Sequence, residues 1–200
     1  MEFVTTLALF DFDGTITQSD SFTSFVKFYH GTSKFLLGFI FFSPILILMK
    51  LGVVGNGLVK NMVFSYFFKG ASENQFNEQC QHYSLQVLPS LLRPKAIETL
   101  NSHLNNSDDV VIVSASPENW IMPWAIPQGI RVISTTVEVK DGFLTGMLSS
   151  KNCYGPEKVL RIKNALDLSQ YKSIVAYGDS KGDREMLELA NESHYKPFRN

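Results

Sequence analysis

Three short runs, at residues 7–10, 110–113 and 173–176, constrain the fold of this chain more than any other feature. Val110-Val111-Ile112-Val113 is wholly β-branched, as a strand covered on both faces should be. Leu7 to Phe10 is a continuous apolar run, and Ser173 to Ala176 reads as a further strand. Between and after them the pattern predicts helices at 96–104, at 156–166 with Pro156 in the first turn, and at about 182–190. Further strands are predicted at 130–133 and 194–196, and a hairpin at 137–139 and 143–145 around Asp141-Gly142. Strands alternating with helices give an α/β fold with a parallel sheet, and ligands in such sheets sit at the carboxyl ends of the strands.

Polar residues stand at those ends. The first run leads into Asp11-Phe12-Asp13-Gly14-Thr15. The two carboxylates are two residues apart, so an extended backbone points both into one space. Close negative charges repel, and one protonates unless a cation or basic group joins them. The second run ends in Ser114, and the third in Gly178-Asp179 with Asp183 four residues later. Lys158 opens a helix between them. Oxygen ligands from several strand ends suit Mg²⁺, which keeps room for water and phosphate oxygens. Ser114 and Lys158 suit a phosphoryl group, one by hydrogen bonding and the other by charge. One carboxylate can then attack phosphorus while the other moves protons. Singly, each residue has a plainer reading: a polar turn for the aspartates, a helix cap for Ser114, a solvated lysine for Lys158, a first-turn charge for Asp183. Their joint order favours a site.

These residues resemble the four signatures of haloacid dehalogenase superfamily phosphatases. They are Asp11-Phe12-Asp13-Gly14-Thr15, Ser114 after an apolar strand, Lys158 in Gly155-Pro156-Glu157-Lys158, and Gly178-Asp179-Ser180-Lys181-Gly182-Asp183. The resemblance implies a Rossmann-like parallel core at residues 1–16 and 96–200, with a helical cap at 17–95 inserted after the first strand. It implies Asp11 as nucleophile and Mg²⁺ ligand. Asp13 would be the general acid/base, binding Mg²⁺ through its backbone carbonyl. Ser114, Ala115 and Lys158 would hold the phosphoryl group, Lys158 within the catalytic set. Asp179 would be the remaining carboxylate on Mg²⁺, and Asp183 would orient Asp179 or Lys158. Two departures bear on substrate contacts: Ala115-Ser116-Pro117 stands where phosphoserine phosphatases carry glycines, and Gly182 where they carry Asn. A receiver-like signalling domain also uses an Asp cluster, Ser/Thr and Lys, but it has no helical insertion.

The inserted region is apolar and basic. Residues 17–95 hold seven basic and three acidic residues, and no Arg before Arg93. Phosphoserine carries a carboxylate for which Arg is the natural bidentate partner. An amphiphilic substrate, such as a phospholipid head group, fits this composition better than a small soluble ester such as phosphoserine. The pattern also resembles subfamily IB phosphatases of the phosphatidylglycerophosphatase C type. Residues 35–49 carry no charge, and Pro44 would kink or start a helix there. Fifteen residues fall short of a bilayer span. A buried cap core is the first expectation for them, a helix in peripheral membrane contact the second, a span the third. Residues 72–88 are predicted as a helix capped by Ser72 with Gln75 reciprocating.

Net charge is −1, which exerts no pull toward nucleic acid. Cys80 and Cys153 have neither metal nor disulfide spacing, which fits a reducing compartment. Met1-Glu2 followed by a strand-like run, with no basic start and apolar core, leads us to expect no secretory leader. A cytoplasmic protein, or one peripheral at the inner face of the membrane, is expected. Trp120 and Trp124 read as core or pocket wall, and the four histidines carry no assigned role.

Overall fold

The computed structural model describes residues 5–199. The reading of Met1-Glu2, and the outermost ends of the expected core, lie outside them. Among the described residues five parallel strands form the sheet, in the spatial order third, second, first, fourth, fifth along the chain. They are β1 (Thr6–Phe10), β2 (Asp109–Pro117), β3 (Arg131–Thr135), β6 (Ser173–Gly178) and β7 (Glu192–Tyr195). β1 lies in the middle and is buried on both faces. Leu7 and Leu9 join one apolar cluster with Val111, Val113, Ile162 and Met186; Ala8 and Phe10 join the other with Val110 and Ile112. The period-two side-chain alternation of a strand produces this division. Helices α4 (Pro94–Asn105), the short α5 (Met122–Ala125), α6 (Pro156–Ala165) and α7 (Arg184–Leu189) complete this layer. The structure is thus the expected Rossmann-like α/β core. The second strand is longer than its apolar run, because Ser114-Ala115-Ser116-Pro117 stays extended beside β3 with an irregular register.

Between β1 and α4 run α1 (Ser21–Lys50), α2 (Asn56–Phe68) and α3 (Glu73–Gln86). Asp20 caps α1 by accepting from the Thr23 N–H at 2.7 Å. The first third of α1 packs inward: Phe25 is fully buried, stacked on Trp120 at 4.6 Å between ring centres. Trp120 is therefore core, its indole N–H bonded to Ser21 Oγ. Gly31, at φ 78°, breaks the helix. Pro44 does not start a helix: it stays inside α1. Pro44 has no N–H to give the Ile40 carbonyl, and the Ser43 hydroxyl donates to that carbonyl instead, at 2.8 Å.

The expectation of a buried core at residues 35–49 fails. Leu37, Ile40 and Phe41 are 65%, 68% and 70% exposed, and only 11% of the apolar window in α1 is buried. By length and composition α1 is apolar enough to cross a membrane. One face of it packs on α2, where a Cβ on Gly38 would lie 2.3 Å from the Phe67 ring.

The capping box predicted at Ser72 does not form, since Ser72 makes no side-chain cap bond. The strands β4 (Val137–Lys140) and β5 (Phe143–Leu148) take its place. Their hairpin turns through Asp141 and Gly142, both at positive φ, as a two-residue turn requires. Gly142 then accepts from the Glu73 N–H at 2.9 Å, and Leu144 exchanges bonds with Gly70 and Ala71. A first-turn donor of α3 is satisfied by backbone from a distant segment, so no side chain is needed.

Candidate active site

Asp11 follows β1 in extended geometry, its N–H bonded to the Tyr177 carbonyl of β6 at 2.9 Å. The chain then turns through Gly14 at φ 86°. A Cβ at Gly14 would lie 2.5 Å from Asp179 Oδ2. Glycine is needed there twice, for the backbone and for the close approach of the two strand ends.

Lys158, in the first turn of α6, is 1% exposed and reaches across the sheet. Its Nζ donates to Asp11 Oδ1 at 2.6 Å, Asp183 Oδ1 at 2.7 Å and the Val113 carbonyl at 2.7 Å. All three ammonium protons are engaged, which is what a buried lysine requires. Asp11 Oδ2 accepts from Thr15 Oγ1 at 3.0 Å. Asp183 Oδ2 accepts from Ser180 Oγ and from the N–H groups of Asp179 and Ser180. Asp183 thus contacts both Lys158 and the backbone that carries Asp179. Asp13 points elsewhere: it accepts from the Ser21 N–H at 2.6 Å and from Ser116 Oγ at 2.5 Å.

Burial sets the proton affinities. It pushes Asp11 up to about 7, with Lys158 opposing and Asp183 adding to the rise. It pushes Asp13 up to about 6, helped by Asp20 and opposed by the bonds from Ser116 and Ser21. Burial works against the charge of Lys158, but Asp11 and Asp183 outweigh it and hold its pKa above the ordinary value. Burial would also raise Asp183, yet Lys158 and Ser180 keep it below the usual carboxylate range. Asp179 is raised by burial, against the pull of Arg199, whose guanidinium meets its Oδ2.

Asp11, Asp179 and Asp183 each offer a carboxylate oxygen within 4.8 Å of the others. Hard oxygen donors at this spacing suit Mg²⁺. Arg199 meets the Asp179 carboxylate beside this cluster.

A cavity of about 390 Å³ opens onto these groups. Asp11, Asp13, Lys158 and Asp183 line one part of it. Phe35, Phe39, Phe42, Leu46 and Met49 of α1 line another. Ala115 and Ser116 reach this space. Ser114 is fully buried, its hydroxyl accepting from the Ser116 N–H at 3.0 Å.

Ser116, Tyr154 and Lys60 are among the lining residues that the sequence does not single out. Ser116 shares the strand face of Ser114 by the period of two, so that signal was present. Tyr154 fills the space a Cβ on Gly182 would need, at 2.3 Å, which explains the glycine in the last signature. Lys60 of α2 bonds the Ala115 carbonyl and lines the cavity. Burial lowers its pKa, with Asp13 and Asp20 opposing. No local pattern marks it, because its distance from Ala115 in the sequence is closed only by folding.

The profile of the haloacid dehalogenase-like hydrolases matches residues 8–188. The chain belongs to that family. Protein CicA of Caulobacter vibrioides is 34% identical over 195 residues, covering 96% of this chain and 86% of its own. A protein of unknown function from Bordetella pertussis Tohama I has a similar structure, with TM-score 0.81 and 21% identity over 95% of this chain and 89% of its own. A substrate-bound phosphoserine phosphatase superposes at TM-score 0.63 with 18% identity, over 98% and 86% of the two chains. In this chain the carboxyl ends of β1 and β6, joined by Lys158 of α6, hold the buried charges Asp11, Asp179 and Asp183.

Proposed function

We propose that this hydrolase is a Mg²⁺-dependent phosphomonoesterase that works through an aspartyl-phosphate and takes an ester with an apolar alcohol arm. One observation carries the reading: Asp11, Asp13 and Lys158 lie at one part of a single cavity whose α1 wall is apolar. An Asp11 oxygen attacks phosphorus and the bond to the alcohol oxygen breaks. Asp13, with a pKa raised to about 6, gives its proton to the departing alkoxide. The same carboxylate then takes a proton from water, which attacks phosphorus and frees inorganic phosphate and Asp11. Lys158 holds Asp11 in place and offsets phosphoryl charge, and Ala115 and Ser116 border the phosphoryl site, with Ser114 supporting them. Mg²⁺, held by Asp11, Asp179 and the Asp13 carbonyl, would neutralise charge that builds on the phosphoryl oxygens. Asp183 orients Lys158 and Asp179.

The test is hydrolysis of an aryl phosphate with Mg²⁺ or with EDTA, comparing wild type and Asp11→Asn. Turnover in EDTA, or an undiminished variant, overturns the mechanism. A small soluble ester such as phosphoserine is the second reading. Lys60 favours it, as a cation at the cavity wall to receive a substrate carboxylate. Comparing kcat/KM for phosphoserine with that for a long-chain alkyl phosphate decides between the two.

A further inference from the structure

The exposed apolar surface of α1 and α2 has no function in the chemistry above. It comprises Leu36, Leu37, Ile40, Phe41, Ile47 and Leu48 of α1, continued by Leu51, Val53, Leu58 and Met62, all more than 40% exposed. Single exposed apolar residues are ordinary on proteins, but a continuous face of this kind marks an interaction site.

We infer that this face docks the protein onto an anionic lipid leaflet, with α1 lying in the interface rather than spanning the bilayer. The charges choose the partner. Residues 21–72 contain no acidic residue and, besides Lys60 in the cavity wall, four lysines that are all exposed, although the whole chain is net negative. Lys34 and Lys50 bracket the uncharged stretch of α1, and both are exposed. Basic residues flanking an apolar helix face complement anionic headgroups while the apolar side chains enter the acyl boundary. Protein–protein interfaces are depleted in lysine relative to the rest of the surface, so lysines framing an apolar face fit a headgroup layer better than a protein partner.

Packing chooses the mode. The other face of the same helix is committed to protein: Gly38 lies against Phe67, and Phe42 is buried. Phe35, Phe39, Leu46 and Met49 line the cavity. A spanning helix would strip these contacts from the protein. An interfacial helix keeps them and sets the apolar wall of the cavity beside the acyl region. The break at Gly31 allows this, because the buried N-terminal part of α1 and its exposed part need not share one axis. For this last point the inference rests on the reading of an apolar ester as substrate, which would then enter from the leaflet.

The experiment is flotation of the full chain with vesicles of phosphatidylcholine alone or mixed with phosphatidylglycerol, at low and high salt. Wild type is compared with the double variant Leu37→Asp/Ile40→Asp and with Lys34→Glu/Lys50→Glu. None of these residues lines the cavity. Wild type is expected to float with the anionic vesicles, less so at high salt. The apolar variant is expected to lose partitioning on the order of 100-fold. The lysine variant is expected to lose the preference for phosphatidylglycerol. Aryl phosphate hydrolysis, measured in parallel, should stay at the wild-type rate in both, which separates failed docking from failed chemistry or folding. Absence of wild-type flotation overturns the inference. So does flotation of the apolar variant at the wild-type level. Retention after alkaline carbonate extraction overturns the interfacial mode in favour of a span, and a wild-type dimer that the apolar variant dissolves overturns the lipid partner.

Discussion

The strand ends and the outer face of α1–α2 solve opposite problems. At the strand ends, charged groups are buried and each is bonded to the next: Lys158 to Asp11 and Asp183, Asp183 to Ser180, Asp13 to Ser116 and Ser21. On α1, apolar groups are exposed and bonded to nothing. Buried charge without partners is costly, so the first region tolerates almost no change. An exposed side chain contributes little to folding, so the second is free to vary unless a partner covers it. Residues whose removal damages chemistry and folding together should lie in the first region, and those that matter only for association in the second.

The largest expected effect is on chemistry. Asp11→Asn should lower kcat for an aryl phosphate on the order of 10⁴-fold or more, because amide nitrogen or oxygen cannot replace the attacking carboxylate. A loss below tenfold would move the nucleophile elsewhere. Next comes Lys158→Met, which leaves Asp11 and Asp183 close together without their shared cation. Chemical denaturation in EDTA should show a loss of about 3–5 kcal/mol. Gly14→Ala combines a positive φ with a clash at Asp179, and should cost about 1–3 kcal/mol in the same measurement.

The acidity of the site gives a prediction of smaller size. Asp11 and Asp13 bind protons more tightly in the folded protein than their ordinary value of 3.8 allows. That contribution to stability is complete below pH 3.8 and is lost as pH rises through about 6 for Asp13 and about 7 for Asp11. A cation held by Asp11 competes with its proton, so the Mg²⁺-induced rise in Tm should be larger near pH ~8 than near pH ~5.5. Equal rises would remove Asp11 from the ligands. The smallest effect belongs to the other region: Leu37→Asp should change unfolding free energy by no more than about 0.5 kcal/mol. A loss beyond ~1.5 kcal/mol would show that the face is already covered in the free protein.

Much of this was legible in the chain order. Continuous apolar runs with helices between them specify a parallel sheet, because only burial on both faces accommodates them. Polar residues directly after such runs must then meet at the carboxyl end of the sheet: Asp11, Asp179 and Asp183 do, joined by Lys158 from α6, and Asp13 lines the same cavity. Gly14 and the Asp141-Gly142 turn were local necessities of backbone geometry. What lay beyond the sequence was every choice between partners of equal local merit. Pro44 was expected to kink or start a helix; it starts none, and the neighbouring Ser43 hydroxyl satisfies the carbonyl that its ring cannot. Ser72 was expected to cap one, and a distant hairpin supplies the acceptor instead. The uncharged stretch of α1 has the composition of a buried core, yet only the packing of α1 on α2 decides which side chains face the cavity and which face outward. Lys60 reaches the site by that same packing. The sequence by itself determined the sheet, the strand-end charges and the positions that must be glycine, since these follow from burial and backbone sterics along short segments. The tertiary structure alone decided which of two apolar faces was covered, because burial there depends on what stands opposite and not on the residues themselves.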